Sequence, residues 1–248
     1  MPTIGIIGGS GLDNPNILKN ITEVEVETPY GKPSSPIKVG NIGNNKVLIL
    51  SRHGLKHQYT PSEVNYRANV YALKEQGATS IIATTACGSL KEEIHRGDFV
   101  VLDQFIDFTR KRANTYFESF ANGINHAPMA SPFDSKLRNI ISQCIGELGI
   151  PFHKQGTVVT IEGPRFSTKA ESNMFRQWGA DVINMSIATE AILANELQIP
   201  YAAIAMSTDY DCWKDDEPSV RWEDVFKIFE QNAENMIKLL VLVIENIE

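Results

Sequence analysis

Cysteine is scarce in this chain. The three residues present, Cys87, Cys144 and Cys212, stand far apart with no CxxC spacing, which argues against a disulfide framework or a zinc site and points to a reducing compartment. Long hydrophobic runs are missing as well. The longest late run, 239–244, is much shorter than a bilayer span, and the amino terminus has no basic segment with an apolar stretch behind it. No membrane attachment and a cytoplasmic location are the resulting expectations. Positive charge is the third shortage: 23 Lys and Arg face 30 Asp and Glu, giving a net charge of −7 and a pI near 5.3. That balance excludes a nucleic-acid partner, whose phosphates need a basic surface. A small anion needs only a few local donors.

What is present is enough apolar sequence, 42% of 248 residues, to build one full core, so residues 1–248 are read as a single domain. Short apolar runs recur, and each ends in polar residues. Residues 201–206 form a run with no polar alternation, which reads as a parallel strand buried on both faces, and it delivers Ser207, Thr208, Asp209 and Asp211 at its carboxyl end. Residues 3–12 run into Gly8-Gly9-Ser10-Gly11. The G-x-G-x-x-G spacing is absent, so no dinucleotide fold follows, but the loop amides and the Ser10 hydroxyl could surround a small anion. Residues 21–50 carry the breaks of antiparallel hairpins, and the run 46–50 delivers Ser51-Arg52-His53-Gly54, with His57 four residues after His53. A guanidinium at a strand end suits bidentate binding of phosphate or carboxylate. His53 and His57 lack a helical context, so no metal is expected.

Thr60-Pro61-Ser62-Glu63 reads as a capping box that starts a helix running to Lys74. The strand 79–84 delivers Thr85-Ala86-Cys87-Gly88-Ser89, where Cys87 reads as a packed thiol. After the strand 99–102 the chain becomes irregular from Asp103, and the long aperiodic segment 110–131 carries His126. A helix from Asp134 to Leu148, a strand 155–161 leading into Glu162, a capping box Thr168–Glu171 and a strand 180–185 delivering Asn184, Met185 and Ser186 follow. Residues 190–197 look helical, and Ser219 caps a final amphipathic helix with Val225, Phe229, Ala233, Met236 and Leu240 on one face. Strands and helices thus alternate from residue 46 onward. The fold class is α/β: a mixed, largely parallel central sheet flanked by helices.

Five strand ends, at Ser10, Arg52 with His53, Thr85, Ser186 and Asp209, therefore place polar groups together. They divide into hydroxyls with one arginine, suited to a phosphate, and two carboxylates with Glu162, suited to a nitrogenous ring or to proton transfer.

The strings Gly8-Gly9-Ser10-Gly11, Ser51-Arg52-His53-Gly54, Thr84-Thr85-Ala86-Cys87-Gly88-Ser89, Ile161-Glu162-Gly163-Pro164-Arg165-Phe166, Ile183-Asn184-Met185 and Ser207-Thr208-Asp209-Tyr210-Asp211-Cys212-Trp213 closely resemble the methylthioadenosine phosphorylase family, within the trimeric branch of the purine nucleoside phosphorylases. The resemblance spans nearly the whole chain in order. It implies phosphorolysis of 5′-methylthioadenosine to adenine and 5-methylthioribose 1-phosphate, a step of purine and methionine salvage, by a homotrimer with no cofactor and with inorganic phosphate as co-substrate. Carried over by position, phosphate would meet Ser10, Arg52, His53, Thr85, the backbone of Ala86, and Ser186. The ribose would rest near Phe166 and Met185, and the purine near Thr208, Asp209 and Asp211, with Ile183 and Asn184 lining the pocket. His126 would reach a neighbouring subunit's pocket near its His57.

Chemistry agrees with that division. Glycosidic cleavage passes through an oxocarbenium-like state, which an anion beneath the sugar stabilises, and the departing purine needs a proton from a carboxylic acid. Asp209 takes that role, and an ionised Asp211 accepts from the exocyclic amine and disfavours a 6-oxo purine. Two departures from the family pattern stand out. Ser186-Ile187-Ala188-Thr189-Glu190 keeps the hydroxyl but has Thr189 in place of a proline, and Trp222 replaces a small aliphatic residue one turn before Val225, where an indole favours a methylthio end by apolar contact. Alternative readings are a phosphorylase for adenosine or methylthioinosine, a nucleosidase using water, which would not need the Arg52 cluster, and a nucleoside-binding subunit.

Overall fold

The computed structural model describes residues 1–8, 18–121, 123–217 and 221–247, without the side chain of Trp222. Ser10 and Ser219, and the pocket contact assigned to the Trp222 indole, lie outside the described residues. One eleven-stranded mixed sheet organises the rest. β1 (Thr3–Gly8) sits between β4 (Asn45–Ser51) and β5 (Ser80–Ser89), parallel to both. The amino-terminal hairpins appear as β2 (Lys19–Val24), β3 (Ile37–Ile42) and β4, each antiparallel to the next. β5 forks, pairing along most of its length with β11 (Tyr201–Asp209), parallel, and at its last residues with β10 (Val182–Asn184), antiparallel. β6 (Phe99–Val101) and β8 (Phe152–His153) extend the sheet beyond β11, and β9 (Thr157–Ile161) and β7 (Gln104–Phe108) extend it beyond β10.

Strand periodicity decides which helices cover which face. Ile4, Ile6, Val47, Ile49, Ile82, Ala202, Ile204 and Met206 point to one side, where α2 (Ser135–Glu147) and α5 (Trp222–Glu245) pack. Their neighbours Ile7, Leu48, Leu50, Ile81, Ala83, Ala203 and Ala205 point to the other, toward α1 (Tyr66–Glu75) and α4 (Ile187–Glu196). The central strands therefore have apolar side chains on both faces, and water-accessible chemistry is confined to their ends.

Several sequence expectations require correction. The Thr60 box closes on itself, with Glu63 accepting from the Thr60 backbone and hydroxyl at 3.0 and 2.9 Å, but no helix follows it. Those residues are largely exposed, so no buried face offsets helix nucleation, and α1 begins only at Tyr66, capped by Asn65. By contrast the Thr168–Glu171 box is complete and opens α3 (Lys169–Gln177). The stretch read as irregular from Asp103 contains β7. Its single partner among the described residues, β9, makes it an edge strand, where Gln104 and Asp107 can face outward and the apolar signature fades. α4 starts three residues earlier than periodicity indicated, because Ile187, Ala188 and Thr189 are fully buried in its first turn.

Candidate active site

A cavity of about 380 Å³ opens at the carboxyl ends of these strands. Arg52, His53, His57, Thr85, Ala86, Phe166, Ile183, Asn184, Met185, Ser186, Thr208, Asp209, Asp211 and Val225 all line it. Four of the five strand ends expected from sequence, at Arg52 with His53, Thr85, Ser186 and Asp209, do converge, and the fifth, at Ser10, lies outside the described residues.

One half is built from β4, β5 and the start of α4. Ser186 is the N-cap of α4, yet its side chain makes no capping hydrogen bond, which leaves the hydroxyl available beside the positive end of a helix. Asn184 braces this region: its Oδ1 accepts from the Thr160 hydroxyl (2.8 Å) and the Ser186 amide (3.4 Å), and its Nδ2 donates to Thr85 Oγ1 (3.4 Å). Thr85 Oγ1 in turn donates to the Ala86 carbonyl. Asn184 lines the pocket, then, with its amide committed to aiming two hydroxyl-bearing neighbours.

Arg52 departs from expectation. Its guanidinium is buried, and the fork read as a bidentate phosphate clamp grips Glu190 instead, Nε donating to Oε1 at 2.5 Å and Nη2 to Oε2 at 3.0 Å. Nη1 donates to the Thr84 carbonyl at 2.9 Å. Burial works against the charge, but the Glu190 carboxylate beside it prevails and holds the arginine pKa above its ordinary value. The sequence offered no signal for this pairing across 138 residues. His53 is neutral: burial and then Arg52 push its pKa down to about 4, against the opposing contact of Nδ1 with the Tyr59 carbonyl at 2.9 Å. Its ring stacks on His57 with centroids 4.5 Å apart.

The other half is carried by the ends of β5 and β11. Their register shifts between Ser207 and Asp209, so Thr208 is an extra residue in a bulge, a device that re-aims side chains beside active sites. The bulge brings Asp209 opposite Gly88, where a Cβ would lie 2.8 Å from Asp209 Oδ1, so the approach requires glycine. Asp209 accepts from the Thr208 hydroxyl and the Asp211 amide, each at 2.8 Å. Burial nevertheless dominates and lifts its pKa to about 6, close to the optimum for general acid catalysis near neutrality. Asp211, at a positive φ of 48°, is also raised by burial, with the nearby Ser172 and Ser167 hydroxyls opposing the rise. Trp213 fixes the end of this segment, its indole donating to the Ser89 carbonyl at 2.8 Å beneath the Arg176 guanidinium.

One further expectation fails. Glu162 is no base-side carboxylate: it accepts from Ser62, the amides of Arg110 and Lys111, and Arg112. Those bonds outweigh burial and hold it down at about 2. It ties the 110–131 segment to the end of β9 and is fully occupied by that task. His126 lies outside the set of cavity-lining residues and packs edge-on against Phe120 of the same segment. Sequence reasoning also missed Phe226 and Phe229, which with Val225 form an apolar wall on α5, and the segment 58–61 at the rim. Spacing on α5 marked Phe229 for the core; Phe226 gave no such signal. No group of three or more His, Cys, Asp or Glu side chains among the described residues could hold a metal ion.

Comparison with known proteins adds a name to this geometry. The model of the phosphorylase superfamily matches residues 3–245. S-methyl-5′-thioadenosine phosphorylase from Danio rerio is 52% identical over 247 residues, covering 98% of this chain and 88% of its own. Methylthioadenosine phosphorylase from Schistosoma mansoni, solved in complex with adenine, superposes with a TM-score of 0.94 at 41% identity, over 99% of this chain and 91% of that one. A mutant of the adenosine/methylthioadenosine phosphorylase of that organism, in complex with methylthioadenosine, gives 0.92 at 40% identity with the same coverage.

Proposed function

We propose, from the premise that the chain belongs to the phosphorylase superfamily and within it to the S-methyl-5′-thioadenosine phosphorylases, an account of how this cavity cleaves 5′-methylthioadenosine with inorganic phosphate to adenine and 5-methylthioribose 1-phosphate. The observation that carries the account is the division of one cavity along β5. Thr85 marks the anion half and Gly88, against Asp209, the base half. Three strand steps separate them, roughly 10 Å, the span a ribose must bridge between phosphate and purine.

Phosphate rests on the hydroxyls of Thr85 and Ser186, the Ala86 backbone, the edge of Arg52, and His53. The sugar lies against Phe166 and Met185, and its 5′ methylthio end meets Val225, Phe226 and Phe229 of α5. As the C1′–N9 bond lengthens, the anion beneath stabilises the cationic sugar. Asp209 passes its proton to the purine ring, N9 leaves with the bonding electrons, and a phosphate oxygen bonds to C1′. Asp211 accepts from the exocyclic amine, which favours adenine over a 6-oxo base. No organic cofactor or metal enters the reaction.

The same reading takes the protein to be a cytoplasmic homotrimer in which His126 of one subunit approaches His57 at a neighbour's cavity rim. His57 sits on that rim, and His126 rides on a long segment that packs mainly through residues such as Tyr116 and leaves Phe120 and Ile124 exposed. Sedimentation of a fully active monomer would overturn it. For the reaction itself, the decisive assay is adenine release from 5′-methylthioadenosine with and without phosphate. Release only with phosphate is expected, and equal release in its absence would make the protein a hydrolase.

A further inference from the structure

We propose that Glu190, a residue away from both substrates, sets the charge of the phosphate half to zero and fixes the aim of Arg52. The inference rests on the phosphorolysis reading. Glu190 is fully buried in the first turn of α4 and takes three donors: Arg52 Nε and Nη2, and the Tyr201 hydroxyl at 2.8 Å. Arg52 Nη2 also reaches the Ile7 carbonyl at 3.5 Å and Nη1 the Thr84 carbonyl. Of the five guanidinium N–H groups, four are therefore committed to the scaffold, which leaves one on Nη1 uncommitted in a residue that lines the cavity.

The charge count follows from these contacts. Arg52 and Glu190 cancel. His53 is neutral, and Arg112, the other nearby cation acting on it, is paired with Glu162 at 3.1 Å. Among the described residues, an anion entering this half meets hydroxyls, amides and a single charge-assisted N–H, and no net positive charge. Such a site distinguishes the geometry of a phosphate without gripping every anion, and it can release the sugar phosphate, which carries the same group. Were Glu190 uncharged, the guanidinium would confront the cavity uncompensated.

The test is Glu190→Gln, which preserves shape and removes the charge. Phosphate KM is expected to fall at least ~3-fold and to become more sensitive to salt, since an unscreened cation now faces the anion. KM for the nucleoside should stay within ~2-fold, and kcat should fall as product release slows. A residue with only a structural role would lower stability without tightening phosphate. A phosphate KM that rises or does not change overturns the proposal. Because a lone buried arginine can prevent folding, the paired variant Arg52→Gln with Glu190→Gln supplies a second test: it removes both charges in similar volume, a change buried ion pairs often tolerate. Its phosphate KM is expected within ~10-fold of the parent, and a loss beyond ~100-fold would show that net charge on Arg52 holds the anion. Adenine release by wild-type protein without phosphate would instead sink the phosphorolysis reading.

Discussion

The two halves of the cavity solve opposite electrostatic problems. In the half beside α4 every buried charge among the described residues has its partner before substrate arrives: Arg52 with Glu190, Arg112 with Glu162. In the half at the end of β11, two carboxylates two residues apart have pKa values raised by burial, and no cation is paired with either at contact distance among the described salt bridges. A satisfied region contributes rigidity and fixed aim. An unsatisfied one stores free energy that a proton or a purine can release. Folding therefore favours one half and ligand binding the other, so substitutions in the two should move stability in opposite directions.

Asp209→Asn should give the largest effect. Loss of a general acid lowers turnover on the nucleoside by about 10²–10⁴-fold, while phosphate KM should move little. Because the folded pKa of about 6 exceeds the ordinary carboxylate value, the protonated form is favoured by folding. Native stability from this group is thus fully present below about pH 4 and is lost as pH rises through about 6. The Asn variant should be more stable than the parent at neutral pH, by on the order of 1–2 kcal/mol after allowing for partial exposure. kcat/KM for the parent should decline as pH rises through about 6, and the variant should lack that limb. Thermal melts from pH 4 to 8 beside pH–rate profiles would measure both, and a variant less stable at pH 8 would contradict the comparison.

Arg52→Ala tests the other half, and the sign of its stability change should be reversed. Removing one partner of a buried ion pair leaves Glu190 uncompensated and typically costs about 3–5 kcal/mol. Denaturant unfolding should therefore show a strongly destabilised protein as well as a raised phosphate KM. A variant as stable as the parent would mean that the pair contributes little to the fold.

Asp211→Asn should act on choice of base more than on rate. An amide can donate where the carboxylate only accepts, so the preference for adenine over hypoxanthine nucleosides should narrow by roughly ten- to a hundredfold. The ratio of kcat/KM for methylthioadenosine to that for methylthioinosine reads this directly. An unchanged ratio would place base recognition elsewhere.

How legible each half was differs for a physical reason. The base half was plain in sequence because its components are local: a buried strand, then Thr208, Asp209 and Asp211 within four residues. The anion half showed its hydroxyls and Arg52, also at strand ends, but not the partner that redirects the arginine. Glu190 comes from a helix 138 residues later, and no local pattern encodes that meeting. The same limit hid β7, whose pairing with β9 is non-local, and misplaced α1, whose start depends on where burial begins rather than on the capping residues at Thr60. Glu162 looked like a candidate acid because it follows a strand, whereas its four donors come from two segments distant in sequence, Ser62 and 110–112.

The smallest predicted effect concerns the wall that neither carboxylates nor phosphate donors touch. Val225 and Phe229 are almost completely buried, and with Phe226 they bring an apolar helix face to the cavity. A methylthio group loses nothing against such a wall, whereas a 5′ hydroxyl buried there lacks a partner. Val225→Thr changes volume little but adds one hydroxyl that can donate and accept. Preference for methylthioadenosine over adenosine should shrink by only ~3–10-fold, because the aromatic residues of the wall remain and one hydrogen bond in a part-solvated site has a modest net value. Phosphate KM and the pH limb set by Asp209 should stay where they are. If the ratio of kcat/KM for the two nucleosides is unmoved by this substitution, the 5′ end of the sugar does not face α5, and the orientation assigned to the ribose between Thr85 and Gly88 is wrong.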